Sequence, residues 1–265
     1  MAAFHMLRQI WFAFAFTLVT GLLLPFQMVA VWAKRPAALR IPVLYHRCLA
    51  RLLGLSVTVD GDPAHDRPLL IVSNHISWLD IIVLSSRGPL TFVAKSEVAG
   101  WPLLGLLAKL QQTVFVDRER KLKSRTTAEE IAGRMLAGHA VVLFAEGTSS
   151  DGSTVLPFRS ALVGAATAAM AADGGAAAVF VQPLAISYSQ SSRRVAPWYG
   201  DMEFFPHLLS VLRAGRIETR ISWGAPLVFG QGSNRKDVTH RLEQSVRDLR
   251  ATHDTATASV TGQAA

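Results

Sequence analysis

Cysteine is nearly missing from this chain of 265 residues: Cys48 stands alone, so no internal disulfide can form. That suits a reducing compartment, and Cys48 itself reads as a small apolar filler, since no His or acidic pattern surrounds it. Charge is scarce too, at 17% against 50% hydrophobic residues, a balance that leans toward membrane association. Acidic groups are the scarcer sign, 19 against 27 Lys and Arg, for a net charge of +8. No nucleic-acid motif or aromatic ladder accompanies the basic excess, so nucleic acid is excluded as a partner. Anionic lipid headgroups or an acidic carrier protein fit it better. There is no Gly-x-Ser-x-Gly elbow, which argues against a serine hydrolase. No tight His, Cys and carboxylate cluster implies a metal. The Gly230-Gln231-Gly232-Ser233 stretch lacks the Lys-Ser/Thr that would make it a phosphate loop. No internal repeat is present.

Long apolar runs are where the chain is rich. Ile10 to Trp32 holds no charged residue, and its 23 positions give a helix of roughly 34 Å at the α-helical rise, enough to span a bilayer core. Trp11 and Trp32 lie near its ends as interfacial anchors do. A cleaved signal peptide is the competing reading, with Val31-Trp32-Ala33 as the cleavage site, but the run is long for one. Lys34, Arg35, Arg40, Arg47 and Arg51 stand after the span while Arg8 precedes it, which puts the remainder of the chain on the cytoplasmic side of an inner membrane. Pro42 to Leu53 alternates apolar and basic residues at helical spacing, an interfacial helix or one packed on the domain.

Further along, apolar strands repeatedly end in polar residues. Leu69-Leu70-Ile71-Val72 runs into Ser73-Asn74-His75-Ile76-Ser77-Trp78-Leu79-Asp80. Thr113-Val114-Phe115-Val116 ends in Asp117-Arg118, and Val141-Val142-Leu143-Phe144 ends in Ala145-Glu146-Gly147-Thr148-Ser149-Ser150. Val179-Phe180-Val181-Gln182-Pro183-Leu184-Ala185-Ile186 is a fourth. Strands that each deliver polar groups at one end describe one site along a sheet edge. Neutral imidazole accepts a proton near pH 7, and a carboxylate fixes its tautomer, so His75 suits a general base and Asp80 its partner. An offset of five separates residues by about 140° on a regular helix. His75 must therefore sit in the turn before a helix and Asp80 in its first turns. Asn74 is placed to orient the imidazole or to donate to an oxyanion.

The order His-x4-Asp, strand-Asp-Arg, Phe-x-Glu-Gly-Thr and x-Pro-Leu resembles the four blocks of the 1-acylglycerol-3-phosphate acyltransferase family, over about Leu69 to Ser187. The resemblance implies an O-acyltransferase that moves a fatty acyl group from an acyl-carrier-protein or coenzyme A thioester to the hydroxyl of a lysolipid, with no resident cofactor and no covalent intermediate. It implies His75 and Asp80 as catalytic residues. Glu146, Gly147 and Thr148 would line the acceptor site, with Arg118 near an anionic headgroup and Arg159 and Lys95 as further contacts for phosphate or carrier. An ion pair of Glu146 with Arg118 or Arg159 is the plainer structural reading. The family usually has Pro at position 145, Arg at 149, Gly at 112 and Val at 182, where this chain has Ala145, Ser149, Gln112 and Gln182. Serine cannot replace the bidentate grip of Arg on a phosphate. The stretch from Glu146 to Gly152, with Leu156 to Leu162, is similar instead to the lyso-ornithine lipid branch, whose acceptor has no phosphate. That acceptor is favoured, with lysophosphatidate as the alternative. A lipid hydrolase and a non-catalytic lipid-binding scaffold are the remote readings.

The alternation of strands and helices predicts an α/β fold: a single domain with a largely parallel or mixed central sheet flanked by helices, preceded by an N-terminal membrane helix. The expected organisation is a transmembrane anchor at 1–35, an amphipathic segment at 36–55, an acyltransferase domain at 56–252 and a disordered tail at 253–265. Within it, Arg120 to Arg125 is a basic helix start, Ser160 to Ala172 an Ala-rich helix and Asn234 to Thr252 a charged one. Trp101 to Leu110 is apolar but too short to span.

Overall fold

The computed structural model describes residues 2–116, 124–172, 178–230 and 232–261. Those residues form an eight-stranded mixed sheet with helices on both faces. Its middle is β2 (Leu69–Ser73), hydrogen-bonded in parallel to β5 (Ala140–Phe144) on one side and to β6 (Val179–Tyr188) on the other. β3 (Thr91–Lys95) and β4 (Val114–Val116) continue in parallel beyond β5. On the far side β7 (Ile217–Trp223) runs antiparallel to β6 and parallel to the edge strand β1 (Leu55–Asp60), while β8 (Leu227–Phe229) pairs antiparallel with β6. β2 and β5 are buried at every position, as central parallel strands must be, which is why they read as unbroken apolar runs.

Alternate side chains along these strands feed two cores. Leu69, Ile71, Val142 and Phe144 point into one, and Leu70, Val72, Val141 and Leu143 into the other. The second core packs residues of α5 (Ser124–Leu136), α6 (Ser160–Ala172) and α8 (Arg235–Thr261). The first packs α2 (Ala37–Leu53), α3 (Leu79–Ser85) and α7 (Phe204–Ala214), and against these one face of α1 (Ala2–Trp32).

The sequence reads α1 as a membrane-spanning anchor; in the structure one of its faces is docked on the domain. Phe12, Phe16, Val19 and Leu23 pack on the first core, and the Thr20 hydroxyl lies 3.1 Å from that of Tyr45. Arg8 donates to the carbonyls of Leu53, Leu212 and Gly215, the C-terminal ends of α2 and α7. Near its other end Gln27 donates to Ala38 O and Leu110 O, the latter closing α4 (Leu104–Leu110). The opposite face, Phe4, Leu7, Trp11, Phe14, Leu18, Leu22, Phe26 and Val29, is bare and apolar at helical spacing. Exposed Leu103 and Leu106 beside α4, and Phe205 and Leu209 on α7, belong to elements that touch α1.

Three other expectations meet differences. The apolar side of 36–55 faces inward: Tyr45, Leu49, Ala50 and Leu53 of α2 are buried in the first core. The chain at 253–261, expected as a disordered tail, continues α8 to Thr261. α7 and β8 have no counterpart in the sequence reading; β8 is three residues long, below the length at which alternation can be read. Two of the departures from the family pattern find reasons. Gln112 sits at φ +61°, a conformation glycine adopts more easily, and its side chain accepts from Arg134 at 2.9 Å. Buried Gln182 accepts from Ala64 N and donates to Asp62 O and Gly224 O, tying two loops to β6.

Arg8 is the testable part of this docking. Arg8→Ala strands the C-terminal carbonyls of two helices, a loss of about 1.5–3 kcal/mol for charged hydrogen bonds. In detergent the thermal midpoint should fall by roughly 5 °C. An unchanged midpoint would show that this corner does not hold α1.

Candidate active site

His75 lies two residues past the C-terminal end of β2, and Asp80 is the second residue of α3, the placement that the offset of five requires. The C-terminal ends of parallel strands are where such sheets present reacting groups. Nδ1 of His75 donates to Asp80 Oδ2 at 2.8 Å. The backbone N–H groups of Ile76 and Ser77 donate to the same oxygen at 2.8 and 2.9 Å, and the Tyr188 hydroxyl donates to Oδ1 at 2.7 Å. Asp80 is fully buried, while the His75 side chain keeps 18% exposure. With its proton held on Nδ1, the imidazole leaves Nε2 as the acceptor atom. The ring stacks on Phe144, the last residue of β5, with centroids 4.0 Å apart. Burial pushes the Tyr188 hydroxyl well above its ordinary pKa, with the Asp80 charge adding to it, so it remains a donor.

The acidic block comes directly after β5 and folds back over this pair. Ser150 N donates to His75 O at 3.0 Å, and Ala145 N to Ser73 O at 3.0 Å. Glu146 is buried, at 2% exposure. Its Oε1 accepts from Leu156 N at 3.2 Å, and its Oε2 has no hydrogen-bond partner among the described residues. Desolvation raises its pKa from 4.5 to about 8; backbone amides of Leu156 and His75 oppose the rise, Asp80 adds to it and Arg250 opposes it. At pH 7 the carboxyl is therefore largely neutral and Oε2 can donate as well as accept. Gly147 is required by its φ of +75°; a Cβ there would also displace the exposed Arg159 side chain, whose Nε would lie at 2.8 Å.

The structure thus brings His75, Asp80, Glu146 and Gly147 together. Arg159 is exposed and lies across Gly147; the expected ion pair with Glu146 is not formed among the described residues. Thr148 is exposed and Ser149 half-buried on the same loop. Lys95 is paired with Glu97 at 2.6 Å on the surface. Arg118 lies outside the described residues. Asn74 needs a correction. Buried at 1%, its Nδ2 donates to Ile186 O and its Oδ1 accepts from Ile186 N, so the side chain clamps β2 to β6 rather than facing a substrate. Sequence reasoning missed Tyr188 and Arg250. Tyr188 ends β6 just past the x-Pro-Leu block and offered a signal in its position; Arg250, buried in α8 at 4% exposure, offered none.

Because the folded-state pKa of Glu146 is raised, the folded state binds its proton more tightly than the unfolded chain does. Stability from this group is complete below about 4.5 and lost as pH rises through about 8. Glu146→Gln cannot ionise. The melting temperature of the variant relative to the parent should climb between pH 5 and about 8 and level off above that, and a constant difference would contradict the buried neutral carboxyl.

Proteins of known activity resemble this chain in sequence and in fold. A family model described as Acyltransferase matches residues 56–187. Over 86% of its length the chain is 45% identical to the lyso-ornithine lipid O-acyltransferase of Brucella abortus, covering 88% of that protein. It is 41% identical to the enzyme of the same description from Rhizobium meliloti, over 88% of this chain and 82% of that one. The 1-acyl-sn-glycerol-3-phosphate acyltransferase of Neisseria meningitidis is 29% identical over 74% of each chain. Among solved structures, the 1-acyl-sn-glycerophosphate acyltransferase of Thermotoga maritima superposes with a TM-score of 0.68 at 20% identity, covering 96% of this chain and 97% of that one, which shows the fold. The bare apolar helix and the lipid-acyltransferase relatives make this a membrane-associated protein. The chain belongs to the acyltransferase family and is an enzyme of acyl transfer.

Proposed function

We propose that this enzyme acylates the free hydroxyl of lyso-ornithine lipid, with His75 as general base and Asp80 as the residue that orients it. The observation that carries the chemistry is the His75 Nδ1–Asp80 Oδ2 bond of 2.8 Å, which leaves Nε2 free at the open side of a buried carboxylate. Nε2 takes the proton of the acceptor hydroxyl as its oxygen attacks the thioester carbonyl, and the imidazolium returns that proton to the departing thiolate. Atoms balance without a covalent enzyme intermediate. Glu146, through Oε2, receives the acceptor near Gly147, Thr148 and Ser149, and Arg118 and Arg159 supply positive charge toward a carboxylate headgroup or the carrier. The donor is an acyl-carrier-protein thioester or coenzyme A thioester.

The acceptor choice rests on two supports. The relatives named for lyso-ornithine lipid are 45% and 41% identical, and the lysophosphatidate enzyme of Neisseria is 29% identical. The position where a phosphate-gripping Arg would stand is Ser149. Residues 56–252 form the catalytic domain in this reading, held at the cytoplasmic face of the inner membrane by 1–35. With α1 docked from Arg8 to Gln27, embedding its bare face brings the domain against the lipid.

Two experiments test the reading. His75→Ala should lower turnover on the order of a thousandfold, and Asp80→Asn should also be severe because it disturbs the tautomer. Wild-type turnover by folded His75→Ala protein would end the mechanism. Separately, the purified enzyme should acylate lyso-ornithine lipid from one acyl-carrier-protein donor and leave lysophosphatidate largely untouched. The reverse preference would move the assignment to phospholipid synthesis.

A further inference from the structure

The loop that carries Glu146 is held from a place that the family model does not reach. α8 begins 48 residues after residue 187, where that match ends, at Arg235. Three of its side chains, at positions 243, 247 and 250, share one helical face by their spacing of four and three. Each of the three bonds to backbone of the same loop. Glu243 Oε2 accepts from Phe158 N at 2.7 Å. Arg247 Nη2 donates to Val155 O at 3.3 Å, and its other nitrogen pairs with Glu243. Buried Arg250 donates to Ser153 O at 2.8 Å and to Gly152 O.

These contacts bracket the groups that shape the site. Leu156, whose N–H is the donor to Glu146 Oε1, lies between Val155 and Phe158, the two residues gripped by Arg247 and Glu243. Gly152, gripped by Arg250, is packed so closely on Ile76 that an added Cβ would lie 3.1 Å from its side chain, and Ile76 N is a donor to Asp80. Between them Ser150 N holds His75 O. We propose that the Glu243–Arg247–Arg250 face of α8 is the template for the acceptor loop, and that Arg250 is the positioning residue through which it sets the carboxyl of Glu146 beside His75. This role rests on the proposed acyl transfer at His75 and Glu146 and deepens it. Arg250 acts by geometry and by charge: it is a buried cation whose field favours ionised Glu146. The other charged or titratable groups around Glu146 are Asp80 from α3, His75 from the turn before it, and Arg159 across Gly147.

The test uses the full-length enzyme in detergent micelles with lyso-ornithine lipid and an acyl-carrier-protein donor. Arg250→Gln keeps a donor and removes the charge; Arg250→Lys keeps the charge and one donating nitrogen, which is all that bonds the two carbonyls in the structure. Arg250→Gln should raise KM for the acceptor about tenfold, with kcat changing far less. The limb of the pH profile that disappears in Glu146→Gln should move upward by about one pH unit in Arg250→Gln and stay in place in Arg250→Lys. Arg247→Met, which frees Val155 and unpairs Glu243 while leaving Arg250 in place, should raise the acceptor KM without moving that limb, and it carries the test should neither Arg250 variant fold. A folded Arg250→Gln enzyme with the parent KM and profile overturns the proposal, as does an Arg250→Lys enzyme no better than Gln. A parent KM in Arg247→Met overturns the template. His75→Ala run alongside separates the two levels: activity retained there brings down the site reading itself, whereas its loss together with unaltered α8 variants rejects only the role of α8.

Discussion

Everything near the site depends on the burial of one carboxylate. Asp80 is fully buried, and a charge removed from water in this way is tolerable only when hydrogen bonds replace the lost hydration. Four donors do so: two backbone amides of the turn before α3, the imidazole of His75 and the phenol of Tyr188. The two amides belong to the turn ahead of α3, outside its N-cap Trp78. One carboxylate therefore holds that turn together, fixes the tautomer of His75 and fastens the turn to the end of β6 at once.

A second carboxyl group stands close by in the opposite condition. Glu146 has one firm donor where Asp80 has four, and desolvation holds its pKa at about 8. Environment rather than residue type sets their hydrogen bonding apart, and a buried carboxyl with a raised pKa is a mark of sites that handle protons and hydroxyls. Asp80 is saturated and so can act only through His75. Glu146 keeps Oε2 unpaired and is the group with capacity left for a ligand. Ser77 Oγ and Trp198 Nε1, buried and likewise without a partner, stand on segments joined by the Trp198 N to Ile76 O bond of 2.9 Å.

The local half of this arrangement is legible in the sequence. His75 and Asp80 are five positions apart, and the strand before them is a fully apolar run, so turn, helix and pairing can be read from spacing alone. The central strands are legible for the same reason, being buried at every residue. The hidden half is reached across long separations. Tyr188 meets Asp80 from 108 positions away, Arg250 meets Gly152 from 98, and Asn74 is consumed by Ile186 from 112. Asn74 reads as a substrate group because a polar residue beside a catalytic motif looks available until its partner is known. The docking of α1 is hidden differently: hydropathy reports how apolar a helix is, not that Arg8 and Gln27 find backbone carbonyls on another element.

That docking relates the lipid surface to the chemistry. The core against which α1 packs is the one that contains Ile76, Leu79 and Phe144, the neighbours of His75 and Asp80, whereas α5, α6 and α8 fill the other face of the sheet. Trp78 continues the connection: its indole N–H donates to His207 of α7 at 2.9 Å, and its ring meets Phe204 edge-on, next to exposed Phe205. Trp101, ahead of α4, closes on both Phe204 and Trp198. An aromatic wall therefore stands between the bare apolar residues of α7 and α4 and the turn that holds His75. Aromatic rings with one polar handle suit a boundary that is apolar on one side and wet on the other. A lysolipid has that same division, with its reacting hydroxyl at the junction of chain and head. The sheet separates the two supports: one face packs on α1 and carries His75, and the other packs on α8, whose charged residues hold the loop that folds back over His75.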